Sequence, residues 1–242
     1  MNPHHETLLH LRLLAGQQPA GRYLELRYAP PGRDWMRRTT IPARQPARAA
    51  RAISRLAQSA DVYIGAALRH GTEHGGASAI DASHLIWVDI DEPDAVDRLQ
   101  RFAHPASLIA SSGRAGHAHA YWQLTTPATP DQLEAANRKL AHHLGGDPAS
   151  VDLARVLRPC GSLNHKRTPP ARVRGSSSNG AFATGTPFLT HTDRPEASRA
   201  SRSSVPEPHP GDSEDWLPDS VRQSRGAGRN SVWVSWSWMN PA

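Results

Sequence analysis

The chain has 242 residues, with 28 Lys plus Arg against 22 Asp plus Glu and a mean hydropathy of −0.58. That balance excludes an integral membrane protein, and at roughly 100–200 residues per domain the length allows one good-sized domain with an appendage. The single cysteine, Cys160, excludes a disulfide framework and any zinc ribbon that needs several thiolates, so no zinc is expected.

His10 and Arg12 interrupt the apolar run near the N-terminus, which is not a signal-peptide pattern, and the expected location is a reducing cytoplasm without membrane association. The net charge is +6, and it is uneven. Residues 1–174 carry 22 basic and 15 acidic side chains, whereas 175–242 carry 6 and 7. A basic folded region suits a polyanionic partner through phosphate neutralisation. Arg makes up 26 of the 28 basic residues, a bias that GC-rich coding also produces.

Leu8, Leu11, Leu13 and Leu14 suggest a first helix. Tyr23 to Tyr28 alternates with period 2, and Trp35 to Ile41 is its hairpin partner across Pro30-Pro31-Gly32. Residues 46–59 place Ala50, Ile53, Leu56 and Ala57 on one helical face, and Val62 to Leu68 returns as an apolar strand. His84 to Asp91 is the strongest strand pattern, and its apolar stretch Leu85 to Val88 is expected in a sheet interior. A helix is expected from Pro93, with Val96, Leu99 and Phe102 inward. Strands at 108–110 and 118–124 flank a Ser-Gly loop, and a helix follows from Thr129-Pro130 to Gly145-Gly146. The order ββαβ, then βαββα, predicts a mixed α+β domain over 1–174. Residues 175–242 are polar and rich in Pro and Ser, so a low-complexity, largely disordered tail is expected there. A weak strand at 181–189 and the Trp-rich stretch from Ser231 to Trp238 are its exceptions.

Three elements could carry chemistry. Asp89-Ile90-Asp91 ends the apolar strand, and alternation puts both carboxylates on one side, about 7 Å apart at Cα. Roughly one D-x-D is expected by chance in a chain with this much Asp, so position carries the inference. Two charges at the end of an apolar strand need exposure, a partner or a cation. They form either a metal platform or a solvated strand end that caps the following helix.

His117, His119 and Tyr121 share one strand face, as solvent-side histidines or as functional ones. The loop from Ser111 and Ser112 through Gly113 and Arg114 to Gly116 has backbone amides suited to a phosphate chain. The third element is Asp152, followed by Arg155, Arg158, Asn164 and Lys166. Asp152 either completes a divalent-ion site or pairs with Arg155 at i,i+3.

At these elements the chain resembles the archaeo-eukaryotic primase superfamily, in particular its RepB-like and prim-pol replication primases. The likeness lies in Trp87-Val88-Asp89-Ile90-Asp91, in Ser112-Gly113 with His119-Ala120-Tyr121-Trp122, and in Asp152 with Arg155, Arg158, Gly161, Asn164 and Lys166. Val62-Tyr63-Ile64-Gly65 leading to Arg69 adds to it. The resemblance covers about residues 20–174. It implies mostly antiparallel sheets with an RRM-like palm flanked by helices. It also implies template-directed nucleotidyl transfer, with two Mg²⁺ or Mn²⁺ ions held by Asp89, Asp91 and Asp152. His119, Arg158 and Lys166 would then meet the triphosphate, with His117, Arg155, Asn164 and Ser112 beside them.

The implied partners are a single-stranded DNA template, nucleoside triphosphates and a separate replicative helicase, in plasmid, phage or mobile-element replication. Two readings compete. A rolling-circle Rep or relaxase of the HUH type would use His117-Ala118-His119 with a tyrosine nucleophile. A non-catalytic single-stranded nucleic-acid-binding remnant of a primase would share the composition and lack the reaction.

Overall fold

The computed structural model describes residues 2–16, 20–176 and 233–234. In chain order the elements are helix α1 (Pro3–Ala15), strands β1 (Tyr23–Ala29) and β2 (Arg37–Pro42), helix α2 (Pro46–Leu56) and strand β3 (Asp61–Gly65). A second run follows, with β4 (Ser83–Ile90), α3 (Ala95–Arg101), β5 (Leu108–Ser111), β6 (Ala118–Ala128) and α4 (Pro130–Leu144). Five two-residue strands complete the list: β7 (Val156–Leu157), β8 (Leu163–Asn164), β9 (Ala171–Arg172), β10 (Gly175–Ser176) and β11 (Trp233–Val234).

These strands divide between two main sheets. One has the order β2-β1-β3-β7 and is antiparallel throughout. Alternation along β1 buries Leu24 and Leu26 in the core with Ile53 of α2, and turns Glu25 and Arg27 to the other face. In the second sheet β6 is central, joined antiparallel to β5 and β4, while β10 extends β5 and β11 lies parallel to β6. β8 and β9 form a small ladder of their own. The fold is mixed α+β, as the pattern of elements predicts.

β4 departs from expectation, since among the described strands it pairs only with β6 and lies at the sheet's edge. Its apolar composition has another cause. Helix α4 and the 3₁₀ turn Pro148–Val151 cover the outer edge and satisfy it: Asn137 Oδ1 accepts from the Trp87 amide at 2.9 Å, and the Asp147 amide donates to the Asp89 carbonyl at 2.8 Å. Trp87 Nε1 also donates to the Ser150 carbonyl at 3.1 Å. A covered edge removes the hazard of unpaired strand groups, so the burial comes from a helix and a turn instead of another strand.

Helix α4 starts with the capping box of Thr129 and Gln132 and buries Leu133, Ala136, Leu140 and Leu144. Gly145 ends it at φ 63°, a left-handed position that favours glycine. The helix expected from Pro93 begins at Ala95, with Asp94 at its cap position. Among the described residues no helix is long and apolar enough to cross a membrane. Apart from β10 and β11, the expected tail and its weak strand at 181–189 lie outside the described residues.

Candidate active site

Asp89 on β4 is paired directly with His119 on β6, and Ile90 with Ala118. The next rung, just past both strand ends, brings Asp91 to His117, with Asp91 Oδ1 3.3 Å from His117 Nδ1. The two acids therefore share one side, each opposite an imidazole. Asp91 does not cap α3, and its side chain is 68% exposed. Asp89 is half-buried, and its carboxyl is pushed up to about 7. Burial is the main cause, with the charges of Asp91 and Asp147 adding to it and that of Arg155 opposing it.

His119 is buried, and burial lowers its pKa to about 4, so the ring is neutral at pH 7. Its Nε2 lies 3.0 Å from the Arg158 carbonyl. A carbonyl only accepts, so Nε2 carries the proton and Nδ1 is left as an acceptor. Arg158 itself is firmly held. Its guanidinium donates to Asp61 Oδ1 at 2.5 Å and to the Tyr63 hydroxyl at 2.8 Å, and lies 4.6 Å from the Tyr63 ring centroid.

Behind His119, the Tyr121 ring stands 5.8 Å away and edge-on, and His10 of α1 stands 5.0 Å from Tyr121. His10 accepts from the Cys160 amide at 3.2 Å. Its pKa is lowered to about 3, first by burial and then by His119.

Asp152 pairs with Arg155, Nη2 to Oδ2, at 2.8 Å. The i,i+3 pair weighed from the sequence is thus present. Arg155 also reaches Asp89 electrostatically, which sets one cation between the third acid and the first. Among the described residues no three His, Cys, Asp or Glu side chains cluster tightly enough to hold a metal ion.

The loop from Ser111 to Gly116 folds on itself. The Ser112 amide donates to the His117 carbonyl at 3.0 Å, and the His117 amide donates to the Arg114 carbonyl at 3.1 Å. The Ser112 amide, one of those expected to face a phosphate, is therefore engaged within the loop, and the Ser111 amide donates to the Arg174 carbonyl at 2.8 Å. Asn164 Nδ2 donates to the Ser112 carbonyl at 2.8 Å, and Asn164 Oδ1 accepts from the Lys166 amide at 3.1 Å. Gly116, at φ 79°, lies so close to the Pro93 carbonyl that a Cβ would overlap it. The Lys166 side chain is exposed on the turn after β8.

Three residues of this site, Asp61, Asp147 and His10, escape a reading from sequence, and Tyr63 enters it only as part of a strand motif with no role. Asp61 and Tyr63, which hold Arg158, sit at i and i+2 of an apolar strand, the same spacing as Asp89 and Asp91, and that spacing was the available signal. Asp147 caps the 3₁₀ turn after α4 and adds negative charge beside Asp89. His10 sits in a leucine-rich helix where nothing local marks it. Against the relaxase reading, Tyr121, the tyrosine nearest the histidine pair in sequence, is fully buried and cannot meet a DNA strand.

Residues 21–186 match the family model of the RepB DNA-primase N-terminal domain. Three solved structures share the fold. The crystal structure of primase RepB′ aligns with a TM-score of 0.53 at 21% identity, covering 74% of this chain and 58% of that one. This chain thus spans less than two thirds of that primase's length. The catalytic domain of primase RepB′ in complex with initiator DNA aligns with a TM-score of 0.52 at 22% identity, over 74% and 88% of the two chains. The AEP domain of the cyanophage S-2L primase-polymerase aligns with a TM-score of 0.54 at 20% identity, over 74% and 92%. No curated protein matches by sequence. With its family model spanning most of the chain, and its mixed α+β fold shared with primase and primase-polymerase domains, the chain belongs to the RepB DNA-primase N-terminal domain family.

Proposed function

We propose that the chain catalyses template-directed nucleotidyl transfer, joining nucleotides on a single-stranded DNA template. The observation that carries this reading is the double rung of Asp89 with His119 and Asp91 with His117, in a domain of the RepB primase family. The charge of Asp91 helps to raise the pKa of Asp89, and a divalent cation relieves such a site. Their carboxylate oxygens suit the hard ions Mg²⁺ and Mn²⁺. Asp89 and Asp91 would hold the ions, and Asp152 would join them if its pair with Arg155 opened. Held there, such ions would supply charge that lowers the pKa of the attacking hydroxyl and steadies the leaving pyrophosphate.

The chain's own groups divide the remaining work. Neutral His119, with its Nε2 proton held by the Arg158 carbonyl, offers Nδ1 as an acceptor to a hydroxyl of the substrate. Positive charge for the triphosphate comes from exposed Lys166 and from Arg155 after its release. Arg158, locked by Asp61 and Tyr63, positions His119 through its carbonyl. Asn164 holds the Ser112 loop in place. Plasmid, phage or mobile-element replication, with a separate helicase opening the template, is the setting such a reaction serves.

The test is incorporation of labelled nucleotide on a primed single-stranded template with Mn²⁺. Asp89→Asn and Asp91→Asn should each lower incorporation by at least a hundredfold while template binding persists. Synthesis at the parental rate in both variants overturns the reading. A parental chain that binds template but never synthesises marks a non-catalytic binding module.

A further inference from the structure

Across one face of the four-stranded sheet the strand registers set a row of side chains that runs away from the nucleotide site and ends in two arginines that site does not use. Arg38 on β2 is paired directly with Arg27 on β1, and Arg27 directly with Tyr63 on β3. Ile64 pairs with Leu157 and Gly65 with Val156, so the next position opposite Tyr63 is Arg158, and their hydrogen bond of 2.8 Å is in place. Directly paired residues project to the same face. The row Arg38, Arg27, Tyr63, Arg158 thus crosses four strands, about 14 Å at roughly 4.8 Å per step.

Two arginines directly opposite each other repel, so the pair needs a reason. Glu25 lies beneath them, fully buried, 2.5 Å from Arg27 Nε and 3.4 Å from Arg38 Nε. It does not require either of them. Arg69, also fully buried, already donates to Glu25 at 2.9 Å. Three arginines on one carboxylate leave two positive charges in excess. The surplus faces outward, for the Arg27 and Arg38 side chains are 29% and 27% exposed.

Glu25 accepts from Arg27 Nε and lies within ion-pair reach of Arg38 Nε, and the Nη2 groups of the two arginines donate to the Gly75 and Thr72 carbonyls at 3.0 Å and 2.9 Å. Each guanidinium has five donors, so others remain for a ligand. Preset cations in a line with the aromatic ring of Tyr63 match a sugar-phosphate backbone with a base that stacks.

We infer that this row is a track for single-stranded nucleic acid, running from Arg158 beside the nucleotide site outward over Tyr63 and Arg27 to Arg38. The inference builds on the proposed nucleotidyl transfer, because the strand so held is the template or the growing product. It is tested without that reaction. Binding of dye-labelled oligothymidylate to the full chain is followed by fluorescence anisotropy over a range of KCl, in EDTA and without nucleotide.

For single strands each phosphate contact contributes about 0.7 to the slope of log affinity against log salt. The Arg27→Gln, Arg38→Gln double variant should therefore lose about 1.4 from the slope and bind at least fivefold more weakly at low salt. An unchanged slope and affinity in a variant of parental circular dichroism overturns the track, as does tighter binding of a blunt duplex than of oligothymidylate. If the variant misfolds, the parental chain decides the matter. Phenylglyoxal labelling of Arg27 and Arg38, mapped by mass spectrometry, should fall when oligothymidylate is present, and equal labelling overturns the inference. A chain that incorporates nucleotides yet shows no slope change loses only the track, whereas one with the slope change and no synthesis loses only the nucleotidyl-transfer reading.

Discussion

Asp89 and His119 are direct partners on neighbouring antiparallel strands, one with its pKa raised to about 7 and the other with its pKa lowered to about 4. Burial drives both shifts toward the neutral form. Near neutral pH a carboxyl that is part protonated thus stands beside a neutral imidazole. Around this rung the fold adds Asp91 with His117 on the open side, and Arg158 with Asp61 and Tyr63 on the buried side.

Arg155 is the resting counter-ion of this site, paired with Asp152 and attracted by Asp89. Removing it should make room for a divalent ion and remove a phosphate contact. Arg155→Gln is expected to bind Mn²⁺ several-fold more tightly in the absence of nucleotide, on the order of three- to tenfold. The same variant should raise the KM for nucleotide by a similar factor. Isothermal titration with Mn²⁺ and steady-state incorporation read the two effects, and weaker Mn²⁺ binding would contradict the role.

Asp61 neutralises Arg158 in a place where both side chains are less than one-tenth exposed. Asp61→Asn leaves that guanidinium buried without a counter-charge, which costs about 3–5 kcal/mol in such settings. The Asp61→Asn, Arg158→Met double variant removes the charge as well and should regain more than half of the loss. Urea unfolding of the three proteins measures this. A loss below about 1 kcal/mol in Asp61→Asn would mean the pair is solvated.

Stability should fall in mild acid, and His10 accounts for part of the fall. Its folded pKa of about 3 lies below the ordinary 6.5, so the unfolded chain binds the extra proton first. The stability it contributes is complete above pH 6.5 and is lost as pH falls toward 3. His119 acts with the same sign down to about 4. Asp89 acts with the opposite sign, because its raised folded pKa makes the folded chain hold the proton between about 7 and the ordinary 3.8. The net loss from pH 6.5 to 4 is on the order of 3 kcal/mol. His10→Gln keeps an acceptor for the Cys160 amide without titrating, and its urea midpoint should decline less over that range. Parallel declines in variant and parent would remove His10 from the account.

What could be read along the chain was local. The alternation around Asp89 and His119, the Thr129-Pro130 start of α4 and its Gly145 stop, and the loop before His117 are each set by residues within a few positions of one another. The family itself was legible, because its motifs lie in such stretches. The edge position of β4 was not. Burial by α4 leaves the same apolar pattern as burial by another strand, and only the Asn137 bond to Trp87 tells them apart. The two-residue strands β7 to β10 are too short to show a period. Arg158 and Asp61 stand 97 positions apart, and Arg69 and Glu25 stand 44 apart, so no spacing rule joins them. Long-range ion pairs of this kind decide which arginines are held and which are offered to a ligand.

Direct measurement of Mn²⁺ binding by electron paramagnetic resonance bears hardest on the central claim, that Asp89 and Asp91 receive divalent ions. The parental chain should take up Mn²⁺ saturably, with affinity rising as pH passes about 7 because the ion displaces the Asp89 proton. Asp89→Asn should bind at least tenfold more weakly and lose that pH dependence. Equal affinity and an equal pH profile in the two proteins would contradict the claim.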